Sequence, residues 1–283
     1  MGGEKPLLRI LGLPLVCLMA LALAAQAAGD AAPDKKTSPD SLDIYLLIGQ
    51  SNMAGRGVVE TEDTQPHPRV MMLDESNQWA PAVEPLHFDK PRVAGVGPGR
   101  AFGVAMAERQ PSRKIGLVPC AVGGTSIRLW TPGAYDEVTG SHPYDDMIPR
   151  MKIALERGTL RGVLWHQGES DSDMGLDGSY YPALKELIER LRAEFNAPAV
   201  PVTIGQLAQF SPWPEGRQRV DAAHRTAAEE LPYVGFVVSD ELEPHADGVH
   251  FDAESSRELG RRFAAAMMAL QAEIGDTPPN DGL

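Results

Sequence analysis

The chain of 283 residues predicts an α/β fold, a parallel sheet covered by helices on both faces. Two observations carry this. Short, unbroken apolar runs alternate with segments of helical period, which is the pattern of parallel strands joined by crossover helices. Polar, glycine-containing motifs then follow directly on several of those runs, at the carboxyl ends of strands where open parallel sheets hold their ligands.

The elements follow in order. Residues 1–27 read as a signal peptide. Lys5 and Arg9 give a basic start, Ile10 to Ala25 is almost wholly apolar, and Ala25-Gln26-Ala27 is a small-x-small cleavage site. An uncleaved anchor helix is the rival reading, but the run is short for a bilayer span and contains Pro14. Residues 28–41 are rich in Ala, Pro, Asp, Lys and Ser and predict a disordered linker. One folded domain is expected over 42–274, and a Pro-, Gly- and Asp-rich flexible tail over 275–283. Strands are predicted at Ile44–Ile48, Val70–Leu73, Ile115–Val118, Gly162–Trp165, Val202–Gly205 and Val234–Val238, mostly unbroken apolar runs that suit burial on both faces. Helices are predicted at Gly99–Arg109, Tyr144–Glu156, Tyr180–Phe195 and Asp252–Glu273. In the third, Tyr181, Leu184, Leu187, Leu191 and Phe195 share a face. In the last, Asp252 is a plausible N-cap and Leu259, Phe263, Met267 and Leu270 stack on one side. Two long polar connections, 52–69 and 74–98, are candidates for functional loops.

Composition excludes some partners. The formal charge is −13, and loss of a leader carrying Lys5, Arg9 and Glu4 makes the mature chain one unit more negative. Nucleic acid and anionic membrane both need a positive face. With Cys17 in the leader, only Cys120 remains, so neither an intramolecular disulfide nor a cysteine metal cage is expected. Cys120 follows an apolar run and reads as a small core residue.

Four motifs carry chemistry. In Gly49-Gln50-Ser51-Asn52-Met53-Ala54-Gly55 an apolar strand runs into a sharp turn that presents Ser51 at the sheet rim; a serine capping or closing a turn is the bland alternative. In Asp247-Gly248-Val249-His250 a histidine stands ready as a base, and an aspartate three residues earlier can orient its other ring nitrogen. Taken alone, that pair also fits a helix-capping Asp beside a surface His. In Trp165-His166-Gln167-Gly168-Glu169-Ser170-Asp171 the Gln167 amide is a candidate donor for the negative oxygen that develops in acyl transfer. The carboxylates Glu169, Asp171 and Asp173 alternatively form a metal or structural cluster. In Cys120-Ala121-Val122-Gly123-Gly124-Thr125 paired glycines let backbone N–H groups approach a ligand, or simply make a turn.

Together and in this order, the motifs Gly-Gln-Ser-Asn-Met-Ala-Gly, Gly-Gly-Thr, Trp-His-Gln-Gly-Glu-Ser-Asp and Asp-Gly-Val-His resemble the carbohydrate acetylesterases of the SGNH-hydrolase superfamily. The group resembled holds acetylxylan esterases of carbohydrate esterase family 6 and sialate O-acetylesterase-like domains. The resemblance spans residue 42 to about Ala272. It implies a three-layer α/β/α sandwich with a flavodoxin-like central parallel sheet. It implies Ser51 as nucleophile, His250 as base and Asp247 as the acid that orients it. The implied oxyanion hole comprises the N–H of Ser51, the N–H of Gly123 or Gly124, and the side chain of Gln167, which stands where many superfamily members have asparagine. From their place in the motifs, Asn52 and Glu169 are expected to support the turn after Ser51, with surface salt bridging the alternative for Glu169. No metal or organic cofactor is implied. The expected partner is an acetylated oligo- or polysaccharide, with acetylxylan favoured over sialate, and the expected location is periplasmic or extracellular, free of the membrane after cleavage.

Arg56 and Arg128 lie inside or beside the motifs. Trp130, Trp213 and Phe210 are expected at loops near strand ends, as core packing or as platforms for a sugar ring. Two rivals remain. A lipid or aryl esterase is disfavoured by polar loops such as Asp74, Glu75, Asn77 and Gln78. A non-catalytic carbohydrate-binding domain of the same shape is disfavoured by the intact Ser51, Asp247 and His250.

Overall fold

A computed structural model describes residues 1–2, 41–210 and 214–276. The expected leader beyond its second residue, the linker up to residue 40, Trp213 and residues 277–283 lie outside the described residues.

Among the described residues, seven strands form one sheet: β1 (Leu42–Gly49), β2 (Val70–Leu73), β3 (Trp79–Pro81), β4 (Lys114–Pro119), β5 (Gly158–His166), β6 (Val202–Gly205) and β7 (Val234–Val237). Their order across the sheet is β3-β2-β4-β1-β5-β6-β7. All neighbours are parallel except β3, which pairs antiparallel with β2 at the edge. The α-helices described with them are α1 (Ser51–Ala54), α2 (Pro98–Arg109), α3 (Pro143–Leu155), α4 (Glu169–Asp173), α5 (Tyr180–Glu194), α6 (Glu215–Glu230) and α7 (Ala253–Asp276).

The central strand shows why the molecule has three layers. All eight residues of β1 are buried. Because side chains alternate across a strand, Leu42, Ile44, Leu46 and Ile48 enter one core and Tyr45 and Leu47 the other. The first core is closed by Met147 and Met151 of α3, Leu184, Leu187 and Leu191 of α5, and Val220 of α6. The second is closed by Phe102 and Met106 of α2 and Leu259, Phe263 and Met267 of α7. The fold is thus the expected α/β/α sandwich around a mostly parallel sheet.

Several elements differ from expectation. β3 is too short for its alternation to show, and it is held by pairing with β2. The apolar pattern does not predict helix α6, because the buried face of this helix is the modest set Val220, Asp221, Ala223, His224 and Ala227. In α5 it is Tyr180 that is fully buried, while Tyr181 and Phe195 are only partly covered. In α7, Leu270 is likewise only half-buried, and the helix continues through Gly275 to Asp276, where the sequence predicts tail. Asp252 caps α7, its Oδ1 accepting the Ser255 N–H at 2.8 Å. Among the described residues, no helix is long and apolar enough to cross a membrane.

Candidate active site

Strand β1 ends at Gly49, whose φ of +130° is closed to most side chains. A Cβ at Gly49 would stand 2.1 Å from the His166 carbonyl oxygen at the end of β5. That same oxygen accepts the Gln50 N–H at 2.9 Å. The chain therefore turns hard against β5, and α1 follows, anchored by the fully buried Met53 and Ala54. Ser51 opens this turn, a residue only 9% exposed.

His250 comes from the loop before α7 and meets Ser51 across the rim. Its Nε2 lies 2.8 Å from Ser51 Oγ, and its Nδ1 lies 2.7 Å from Asp247 Oδ2. Asp247 Oδ1 accepts the backbone N–H groups of Val249 and His250 at 2.9 and 3.0 Å. Burial would raise the Asp247 carboxyl, but hydrogen bonds from the His250 ring and these two N–H groups outweigh it and hold it well below the usual carboxylate range. An ionised carboxylate only accepts, so Nδ1 carries the proton and Nε2 presents its lone pair to the serine hydroxyl. The arrangement can therefore draw the proton from Ser51 Oγ and make it a nucleophile. His245, to which the sequence assigns no role, lies beside the same acid, with Nδ1 3.3 Å from Asp247 Oδ2.

Asn52 and Glu169 meet behind this chain of groups. Asn52 Nδ2 donates to Glu169 Oε1 at 2.7 Å, and its Oδ1 accepts the Phe251 N–H at 3.1 Å. One buried side chain thus ties the serine turn to α4 and to the histidine loop.

The structure separates the two glycines. Gly123 sits against the serine: a Cβ there would be 3.5 Å from Ser51 Cβ. Its N–H is already given to Asp89 Oδ2 at 2.8 Å. Gly124 is exposed, with φ of +85°, and its N–H has no partner among the described residues. Asp89, which the motifs do not point to, lies in the long 74–98 connection. Its side chain is 1% exposed and paired with Arg56 at 2.8 Å. Burial pushes its carboxyl up, and the Arg56 guanidinium with the Gly123 N–H pulls it below the ordinary value, so it stays ionised. No local signal marks Asp89 in the sequence, since its partners come from residues 56 and 123.

The expected oxyanion role of Gln167 meets a different geometry. Gln167 is fully buried, and its amide nitrogen donates to Thr125 O at 2.9 Å, Asp171 Oδ2 at 2.6 Å and Gln50 Oε1 at 3.0 Å. Its Oε1 accepts the Tyr180 hydroxyl at 2.9 Å. The reason is Asp171, buried by α4, whose Oδ2 also takes the Ile127 N–H at 2.9 Å. A buried carboxylate left without donors is costly, and Gln167 supplies one. Neither amide hydrogen of Gln167 is left to face a ligand.

The remaining candidates divide cleanly. Trp130 is core, 0% exposed, with its ring edge-on to Trp165 and Nε1 donating to Thr125 Oγ1. Phe210 packs on Phe251 at 5.4 Å. Arg128 is exposed. Burial pushes the Cys120 thiol up to about 11, so it is not a thiolate nucleophile. Among the described residues, no group of three or more His, Cys, Asp or Glu could hold a metal ion.

A parallel sheet with these polar turns at the carboxyl rim of its central strands is the frame of the SGNH-like esterases. The chain belongs to the carbohydrate esterase, sialic acid-specific acetylesterase family, whose profile matches residues 41–269. It is 33% identical over 262 residues to an Arabidopsis thaliana protein described as "Probable carbohydrate esterase", covering 85% of this chain and 96% of that one. It is 28% identical over 228 residues to human sialate O-acetylesterase, covering 68% of this chain and 42% of the human protein. An X-ray structure of a protein from Arabidopsis thaliana superposes with a TM-score of 0.71 at 33% identity, covering 81% of this chain and 98% of that one. A carbohydrate acetylesterase from Xanthomonas citri gives 0.63 at 20% identity, covering 82% and 57%; at that identity the likeness is one of fold.

Proposed function

We propose that this esterase removes O-acetyl groups from carbohydrate through a covalent acetyl-Ser51. The observation that carries the reading is the unbroken chain from Ser51 Oγ through His250 to Asp247, with links of 2.8 and 2.7 Å. Ser51 Oγ attacks the acetyl carbonyl as His250 Nε2 takes its proton. The new oxyanion lies toward the N–H groups of Ser51 and Gly124. The imidazolium, stabilised by Asp247, then protonates the departing sugar hydroxyl. Water, deprotonated by His250, attacks the acetyl-serine, releases acetate and restores the hydroxyl.

Acetylated xylan is the favoured substrate. The Gly49–Gly57 stretch resembles that group, and a chain of net charge −13 repels an anionic sugar such as a sialate. The family's description and the human relative favour sialate as the second reading. The test is acetate release from acetylated xylan, from O-acetylated sialic acid and from 4-nitrophenyl acetate, with Ser51→Ala in parallel. Ser51→Ala is expected to abolish turnover while leaving Tm within a few degrees. Full activity of Ser51→Ala defeats the mechanism. Binding of polysaccharide without hydrolysis of any ester by the wild type would instead favour a carbohydrate-binding module.

A further inference from the structure

Asp247 works in an open position. Its side chain is 41% exposed against 20% for His250, so burial does not hold the carboxylate in line with the imidazole. The donors to its Oδ1, the N–H groups of Val249 and His250, both come from the C-terminal side of the loop. A residue held from one side can swing about that side. Holding it from the other side falls to His245.

His245 is itself well fixed. Its N–H donates to the His250 carbonyl at 2.6 Å, and its carbonyl accepts the Gly248 N–H at 2.9 Å. Next to it, Pro244 and Phe251 pair as an antiparallel bridge, and the buried Phe251 gives its N–H to Asn52 Oδ1. The ring therefore stands on the base of the loop, which is tied to the serine turn, while Asp247 stands near the tip. His245 Nδ1 meets Asp247 at two atoms. It accepts the Asp247 N–H at 3.5 Å, and this N–H has no other acceptor among the described residues. It also lies 3.3 Å from Oδ2, the oxygen that His250 Nδ1 uses at 2.7 Å. A neutral ring holds the backbone of Asp247 through its lone pair, and a protonated ring holds the carboxylate through its charge. Among the described residues, the ring has no hydrogen bond or ion pair with any residue but Asp247.

We infer that His245 is the positioning residue for the triad acid. It fixes Asp247 so that Oδ2 stays at His250 Nδ1 while His250 Nε2 draws the proton from Ser51 Oγ. This rests on the acetyl-Ser51 reading above. His245 does not act on the ester and gives up no proton in the cycle; its contribution reaches the reaction through Asp247 alone. Orienting the imidazole is what the acid supplies, and a swing of Oδ2 lengthens the 2.7 Å link on which that orientation depends.

The test uses the full chain and 4-nitrophenyl acetate. His245→Leu removes the ring nitrogens and keeps an apolar side chain in their place. It is expected to lower kcat about three- to thirtyfold, with KM changed less than about twofold, as one polar contact is lost from the group that orients the base. His245→Asn puts a carboxamide near the Nδ1 position, and His245→Gln puts one near the Nε2 position. The Asn variant should recover most of the loss and the Gln variant should not. His245→Leu/Asp247→Ala should be no slower than Asp247→Ala alone, because both act through one carboxylate. A ring that only shaped the loop would lower Tm without separating Asn from Gln, and its loss would add to that of Asp247→Ala. If His245→Leu does not fold, the Asn and Gln pair decides. Turnover that is lost in Ser51→Ala but kept within about twofold in His245→Leu and His245→Gln overturns this assignment and leaves the acetyl-serine reading standing, as do equal losses in the Asn and Gln variants. Additive losses in the double variant overturn action through Asp247. A wild type inert on every acetate ester overturns the acetyl-serine reading and this assignment with it.

Discussion

Replacing Asp247 by asparagine isolates what the acid does. Asparagine retains one oxygen, which can still accept the N–H groups of Val249 and His250 that now bind Oδ1. The loop should therefore keep its shape. The second position becomes an NH2 group facing His250 Nδ1, where Oδ2 now sits at 2.7 Å. Two donors cannot share that contact, so the ring proton moves to Nε2 and the lone pair facing Ser51 Oγ is lost. In a fully enclosed triad this exchange costs about 10⁴ in kcat, near 5 kcal/mol at about 1.4 kcal/mol per decade. Here the Asp247 side chain is 41% exposed, so water can compete for Nδ1 and part of the productive tautomer survives. The expected loss in kcat is therefore about 10²- to 10⁴-fold, with Tm shifted by no more than a few degrees. Steady-state hydrolysis of 4-nitrophenyl acetate and a thermal melt measure both. A loss of less than about tenfold would show that the imidazole is held productively without this carboxylate and would refute the tautomer argument.

Three further outcomes follow from the same contacts. Burial pushes the Glu84 carboxyl up to about 8, against hydrogen bonds from Leu86 and Gly97. Its folded value is raised, so the stability it contributes is full below about pH 4.5 and is lost as pH climbs to about 8. Glu84→Gln, which cannot ionise, should match the wild type at pH 4 and exceed it by a few kcal/mol above pH 8 in urea melts; parallel curves would refute the assignment. Burial likewise lowers His87 and His224 to about 3, so their contribution is present above about pH 6.5 and lost as pH falls toward 3. His224→Gln should flatten that acid limb, and an unchanged limb would count against it. Asn52→Ala removes the bonds to Glu169 and Phe251 and should cost about 1 to 3 kcal/mol in stability together with a drop in kcat, because the serine turn and histidine loop lose their shared tie; a variant with wild-type kcat and Tm would deny that tie.

Much of the fold is legible in the sequence because parallel strands buried on both faces read as apolar runs. Val70–Leu73 and Val202–Gly205 have the same bounds in sequence and structure. The serine turn is legible for a related reason: Gly49 is forced by the closeness of the His166 carbonyl, and glycine leaves a mark in the sequence. What is not legible depends on contacts between distant residues. Nothing in positions 82–97 marks Asp89 as the acceptor of the Gly123 N–H. Tyr180 and Tyr181 are equivalent by period, and only the meeting of the Tyr180 hydroxyl with Trp165, Gln167 and His224 selects the inward one. Gln167 reads as a ligand donor from its motif position, whereas the buried Asp171 four residues on claims its amide. Helix α6 escapes the pattern because Asp221 and His224 occupy its inner face, where aliphatic side chains would mark a buried helix.

The central claim is that a hydroxyl made nucleophilic by a histidine carries the acetyl group during turnover. It is tested most directly by quenching the enzyme in acid during hydrolysis of 4-nitrophenyl acetate and mapping its peptides by mass spectrometry. The account predicts one acetyl group on the peptide containing Ser51, absent in Ser51→Ala and much reduced in His250→Ala. Steady turnover with no acetyl on that peptide, or with the acetyl on another residue, would contradict it.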